Sequence, residues 1–203
     1  MARYTGPTCR MCRREGQTLH LRGKCALENR GPGAPGEQHR WRRRNSEYGR
    51  QLREKQLVKR VYGLLEKQFR KSFREAENEK GITGENLLVL LERRLDNVTA
   101  RMGLAWSRPQ ARQYINHHHV LVNGEVVDRP SYQVQTGDEI RLRERMKDND
   151  QVIKTMSLTK QAGLVDWMTH TGEASGKLER LPERDEINDV EIDEQQIVEL
   201  YSK

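Results

Sequence analysis

The stretch SRPQARQYINHHHVLVNGEVVDRPSYQVQTGDEI, residues 107–140, decides how the rest of the chain is read. Ser107 is an N-cap residue with Pro109 in the turn that follows, and Ala111, Tyr114 and Ile115 recur at helical spacing. Then the period changes. HVLVNGEVVD sets two β-branched runs around Asn123-Gly124, the dipeptide best suited to a type I′ turn, and so predicts a hairpin. Two more short strands are expected around the turn at Thr136-Gly137-Asp138. Upstream, LLVLLERRLDNVTARM carries Leu88, Leu91, Leu95, Val98 and Met102 as one apolar helical stripe, with Arg94 and Arg101 opposite it and Arg93 and Asn97 on its flanks. GITGEN, 81–86, reads as the loop before that helix. Residues 91–155 therefore read as two helices packed on a small antiparallel or mixed sheet, and the chain as α+β.

Three adjacent imidazoles, His117, His118 and His119, invite a metal or a catalytic reading. The local structure argues against both. His117 ends a helix, His118 occupies the turn and His119 starts a strand, so the three side chains diverge. No acidic ligand or HExxH spacing stands nearby, and no nucleophile accompanies them. A polar turn that donates to phosphates and stacks on unpaired bases remains, beside the plainer reading of a solvated turn.

Working outward, 34% of the 203 residues are apolar and 33% charged, with a mean hydropathy of −0.97. Small cores braced by a partner fit this composition better than one large core. The longest apolar run is LLVLL at 87–91, far short of the ~18 residues of a membrane helix, and MARYTGPTCR has no signal-peptide core. A reducing, cytoplasmic setting is the default for an odd cysteine count without an export signal.

Charge is unevenly spread. Residues 1–60 hold 16 Lys and Arg against 5 Asp and Glu; residues 61–155 hold 16 against 14; residues 156–203 hold 5 against 11. A front end this basic calls for a polyanion, and the scarcity of apolar anchors favours nucleic acid over membrane. RGPGAPGEQHRWRRR makes residues 1–45 an extended arm, with a solubilising tail as the plainer alternative. From Ser46, an N-cap, residues 46–90 read as helical, divided near Gly63. The acidic segment 156–203 ends in a helix capped by Asp193 with Gln196 and is expected to pack back on those helices. Phosphate contacts are expected from Arg3, Tyr4, Arg10, Arg13 and Arg14 of the arm, from Arg40, Arg42, Arg43 and Arg44, and from Arg50, Arg53, Lys55, Lys59 and Arg60. Arg93, Arg108, Arg112, His117 and His119 are expected to shape a second contact face.

Residues 107–140 closely resemble the small RNA-binding domain named after ribosomal small-subunit protein four. That domain's pattern runs S-R-x-x-A-x-x-hydrophobic-I, then x-x-G-x-V-x-V-N-G, then G-D-x-I. The flanks ARYTGP, EYGRQLREKQLVKRVYGLLEKQFRKSF, GENLLVLLERRLDNV, LPERDE and EQQIVELYS extend the resemblance to that ribosomal protein family over nearly the whole chain. The resemblance implies a structural constituent of the small ribosomal subunit, in the cytoplasm or an organelle. It implies a primary binder of small-subunit rRNA in the RNA's 5′ domain that nucleates assembly of the subunit body. Contacts with small-subunit protein five that bear on decoding accuracy, and a place beside the messenger-RNA entry channel, are implied as well. No membrane, small-molecule substrate or enzymatic step is. Two departures stand out: His118 occupies a position where the family carries a glycine for a positive φ, and RGPGAPGEQHRW, 30–41, differs from the family's loop.

Cys9-x-x-Cys12 has the spacing of a structural zinc pair, and Cys25 follows alone. Some relatives carry four cysteines here. A Cys₃His set completed by His20 or His39 and a set of metal-free thiols both stay open. RRLDNVTARMGL resembles the R-L-D motif of pseudouridine synthases, but Asp96 sits among helical core positions and the chain lacks room for a catalytic domain. Stalled-ribosome rescue factors resemble the middle segment only and leave the matching ends unexplained.

Overall fold

The structure is a computed structural model that describes residues 4, 6–19, 27, 33 and 46–202. The chain forms two compact units, Val89–Glu186 and the residues on either side of it. The expectations placed on Arg3, His20, Cys25, His39, Arg40, Arg42, Arg43, Arg44 and the loop 30–41 lie outside the described residues.

The flanking unit is helical. It contains α1 (Cys9–Glu15), α2 (Glu47–Val61), α3 (Glu66–Asn78), the start of α4 (Thr83–Glu92) and, from the far end of the chain, α9 (Glu194–Ser202). Ser46 caps α2, its hydroxyl accepting the Gly49 N–H at 3.1 Å, and Gly63, at φ 63°, turns the chain into α3. Leu57, Val58, Val61, Phe69, Phe73, Ala76 and Ile197 bury the apolar side of these helices. Helix α9 docks on α2: Gln51 donates to Glu199 at 3.0 Å, and the Asp193 N–H reaches Glu54 at 3.3 Å. Tyr201 packs its ring against Phe73, with centroids 4.5 Å apart, and donates its hydroxyl to Glu66 at 2.9 Å.

The central unit carries α5 (Leu95–Arg101), α6 (Arg108–Asn116), β1 (Val120–Val122), β2 (Glu125–Val126), β3 (Glu139–Leu142), α7 (Glu144–Lys147), α8 (Asp150–Ala162), β4 (Met168–Gly172) and β5 (Ser175–Leu178). The sheet is antiparallel throughout, in the order β2-β1-β3-β5-β4. Its core gathers Leu95, Val98, Met102, Ile115, Val120, Ile140, Leu142, Trp167 and Leu178. The central hairpin turns at Asn123 and Gly124, at φ 51° and 87°, the geometry a type I′ turn needs. His118 takes φ 59°, the left-handed conformation that reverses the chain between α6 and β1.

Four local expectations are corrected. The helix drawn through 87–102 breaks at Arg93–Arg94. Arg94 is extended (ψ 135°) and bridges to Gln133, while Leu95 and Asp96 donate their N–H groups to the Tyr132 and Pro130 carbonyls. A passing strand-like segment thus satisfies the first donors of α5, which a continuous helix would have satisfied internally. That same segment supplies only the Gln133 bridge where a strand was expected, and α4 starts at Thr83, inside the expected loop. Finally, β4 and β5 come from the segment grouped with the acidic tail, and β5 pairs with β3. Gly176 of β5 permits the close approach of β4 and of Met102: a Cβ there would sit 2.9 Å from the Thr169 carbonyl and 3.0 Å from the Met102 sulfur.

Candidate nucleic-acid interface

On the helical unit the expected cations divide into two kinds. Tyr4, Arg10, Arg14, Arg50 and Arg53 are exposed, while Arg13, Lys55, Lys59 and Arg60 are half-buried. Lys55 and Lys59 both donate to the Glu66 carboxylate, at 2.9 and 2.6 Å, and Arg60 pairs with Glu15, which also lies 3.6 Å from Arg53. Burial pulls the Glu66 carboxyl up, but hydrogen bonds from Lys59, Lys55 and Tyr201 outweigh it and hold the group at about 2. Burial, and then the charge of Arg14, lower the Arg60 guanidinium below its ordinary value. Of the expected cations described in this unit, Arg10, Arg14, Arg50 and Arg53 are the ones exposed to a phosphate chain.

The second expected face is not the outward row of arginines that helical periodicity suggested. Arg94 grips the Asp96 carboxylate with two hydrogen bonds, at 3.1 and 3.0 Å, and Arg112 of α6 closes on the same carboxylate from Nε at 3.0 Å. All three are buried, at 5%, 2% and 8% exposure. Asp96 at the start of α5 thereby holds α6 against the Arg94 bend, so Arg112 is corrected from a surface donor to an internal brace. Glu92, also buried, pairs with Arg101 at 2.8 Å and accepts from Asn97 at 2.7 Å, and Arg108 donates to the Asn97 side-chain Oδ1 at 2.6 Å. Arg93 is half-buried and donates to the Val134 carbonyl at 3.1 Å. Paired and fully hydrogen-bonded, these charges fix the packing of α5 and α6.

Of the expected contact residues in this unit, the histidines at the corner between α6 and β1 face solvent most openly. His117 and His118 are exposed, His119 half-buried. The His117 and His119 rings meet edge-on, centroids 6.0 Å apart, and Arg145 of α7 lies 2.9 Å from the His119 Nδ1. Burial, and then the charges of Arg145, His117, Arg143 and His118, hold the His119 imidazole below its ordinary value. Arg143 and Arg145 were not singled out from the sequence; the dense basic run RLRERMK, 141–147, was the signal available. Trp106, half-exposed before α6, was likewise passed over.

Cys12 of α1 is buried and Cys9 partly so, one helical turn apart. Among the described residues no three His, Cys, Asp or Glu side chains cluster as a metal set, and no helix is long and apolar enough to cross a membrane.

Residues 3–92 match the ribosomal protein S4/S9 N-terminal domain, and residues 93–140 match the S4 domain. The chain is 50% identical to proteins named small ribosomal subunit protein uS4 from Natranaerobius thermophilus and Desulforamulus reducens, and 48% identical to that of Thermosipho africanus. Each match covers the whole of both chains. Together with the two domain matches, this places the chain in the family of small ribosomal subunit protein uS4.

Proposed function

We propose that the protein is a structural constituent of the small ribosomal subunit that binds small-subunit rRNA through its cationic surfaces. The observation that carries this reading is the end-to-end likeness, at 50% identity, to proteins named for that subunit. The distribution of exposed arginines supports it physically: charge density of this kind gives shape- and phosphate-directed binding. No covalent step belongs to the reading. Asp96, the residue a pseudouridine synthase would need free, is locked between Arg94 and Arg112. The test is co-sedimentation of the native protein with small subunits in high salt. Loss of the protein from the subunits under conditions that keep other core proteins bound would overturn the reading.

On the same reading the rRNA target is the 5′ domain, and binding there nucleates assembly of the subunit body. Small-subunit protein five and the messenger-RNA entry channel are the neighbours, the protein contact bearing on decoding accuracy. The triple Arg42, Arg43 and Arg44 to Ala change then weakens binding to a 5′-domain transcript and flattens its salt dependence. At the arm two alternatives stay open: a zinc site in which Cys9 and Cys12, at ligand spacing on α1, are joined by Cys25 and by His20 or His39, and a set of metal-free thiols. Metal analysis of RNA-free protein decides between them: one equivalent of zinc assigns the site, and less than that, with reduced thiols, removes it.

A further inference from the structure

The corner where α6, β3 and α7 meet collects cations that no described carboxylate answers. Arg143 donates its backbone N–H to the His119 carbonyl at 2.9 Å, which fixes the end of β3 beside that histidine. Arg145 follows in α7, its Nη2 2.9 Å from the His119 Nδ1. A guanidinium only donates, so Nδ1 accepts here and the neutral ring carries its proton on Nε2. Tyr114 of α6 and His117 flank the His119 ring edge-on, at centroid distances of 6.3 and 6.0 Å, and His118 occupies the turn between. The nearest acid in sequence, Glu144, is exposed and paired with Lys147 at 2.9 Å. Among the described residues Arg143 and Arg145 form no ion pair.

We propose that His119, Arg143 and Arg145, with His117 at the rim, form a phosphodiester clamp that takes up a proton when RNA binds. The proposal rests on the rRNA-binding reading and adds to it a site and a dependence on pH. In the unbound protein Arg145 is spent on the imidazole. An approaching phosphate offers that guanidinium a charged acceptor, which makes a stronger hydrogen bond than a neutral nitrogen does. Once Arg145 turns to the phosphate, Nδ1 loses its donor. It takes a proton from solvent, and the resulting imidazolium donates in turn. The sign follows. Burial and surrounding cations keep His119 neutral in the free protein, and the bound anion raises its affinity for protons. The gain in RNA affinity is therefore full below the unbound imidazole's pKa and is lost as pH rises through the bound value.

The experiment measures binding of the full-length protein to a transcript of the small-subunit rRNA 5′ domain between pH 5.8 and 8.0 at constant ionic strength. Wild type is expected to bind about three- to tenfold more tightly at the acidic end, as uptake of up to one proton requires. In H119Q that added slope disappears. In R145Q affinity drops by about tenfold at neutral pH, as loss of one charge-assisted phosphate contact implies, and the slope shrinks because Nδ1 is already open to a proton before RNA arrives. Calorimetry in two buffers of different ionisation heat gives the proton count directly and does not depend on comparing affinities, and circular dichroism verifies that each variant is folded. If H119Q keeps the wild-type slope and proton count while the RNA still binds, the clamp is refuted and the family reading stands. If wild type fails to bind the transcript at any pH, both fall.

Discussion

Two arginine-rich regions look alike in sequence and behave oppositely in the fold. In α2, Arg50 and Arg53 reach solvent, and Lys55 and Lys59 share the half-exposed carboxylate of Glu66, while Arg60, with Arg53 at 3.6 Å, meets the more enclosed Glu15. Around α5, Arg94 and Arg112 turn inward onto one buried carboxylate, Asp96, and Arg101 onto another, Glu92. Charge density is not the variable that separates them. The difference lies in what surrounds the acid. Asp96 sits between Leu95 and Val98, both fully buried, so its carboxylate goes into the core and must bring its counter-ions along. Glu66 opens α3, with its side chain about half exposed, and its lysines pair with it without leaving water. An arginine beside a core-facing acid is architecture; one on a half-solvated helix is available to a ligand.

The change that strains this distinction most is D96N. It keeps the shape and removes the charge, leaving two buried guanidiniums without a counter-ion. The expected loss is about 3–5 kcal/mol, as for breaking a buried pair from one side. Urea unfolding of the purified protein measures it. A loss below about 1 kcal/mol would mean that the triad is surface-like, and the contrast with α2 would vanish. Next in size is the double change R50A/R53A on α2. Stability should move by no more than about 0.5 kcal/mol, the range of ordinary surface substitutions. Affinity for a 5′-domain transcript should fall about ten- to a hundredfold at moderate salt, with the log–log salt slope reduced by about 2. Unchanged salt dependence would remove α2 from the interface.

The same contrast explains what could be read in advance. Elements set by neighbouring residues were legible: Ser107 accepts the Gln110 N–H as an N-cap, Asn123-Gly124 turns the hairpin, and His118 adopts the positive φ that a glycine position implies. The break at Arg94 was not, because the apolar stripe from Leu88 to Met102 runs straight through it. The break is fixed from outside by carbonyls of residues 130 and 132, which no local pattern announces. Strands β4 and β5 were missed for a related reason. THTGEASG lacks apolar alternation, and a glycine that admits a neighbouring backbone shows in sequence only as a weak strand former. Among the candidate contacts, Arg10, Arg14, Arg50 and Arg53 are exposed and Arg112 is buried. Telling these apart required knowing that Asp96, sixteen residues before Arg112, was waiting for it in the core.

Replacing Glu66 by Gln is the mildest test and sharpens the contrast from the other side. Burial raises the Glu66 carboxyl, yet Lys59, Lys55 and Tyr201 bring it down to about 2 from an ordinary value of 4.5. A carboxyl whose pKa is depressed on folding adds stability that is present above the unfolded value and lost as pH falls through the folded one. Wild type should therefore exceed E66Q in stability above about pH 4.5, and the two should converge as pH approaches 2. Because the side chain is about half exposed, solvent screens the pair and the neutral-pH difference should be about 1 kcal/mol or less. Urea midpoints of both proteins at pH 2.5, 4 and 7 follow that convergence. A gap that persists at the lowest pH would assign the effect to packing rather than charge. The change also releases Lys55 and Lys59, so rRNA affinity at neutral pH should hold or rise about twofold. An acid that can be removed while the fold survives and binding holds or rises is the counterpart of Asp96, whose removal costs the fold about 3–5 kcal/mol.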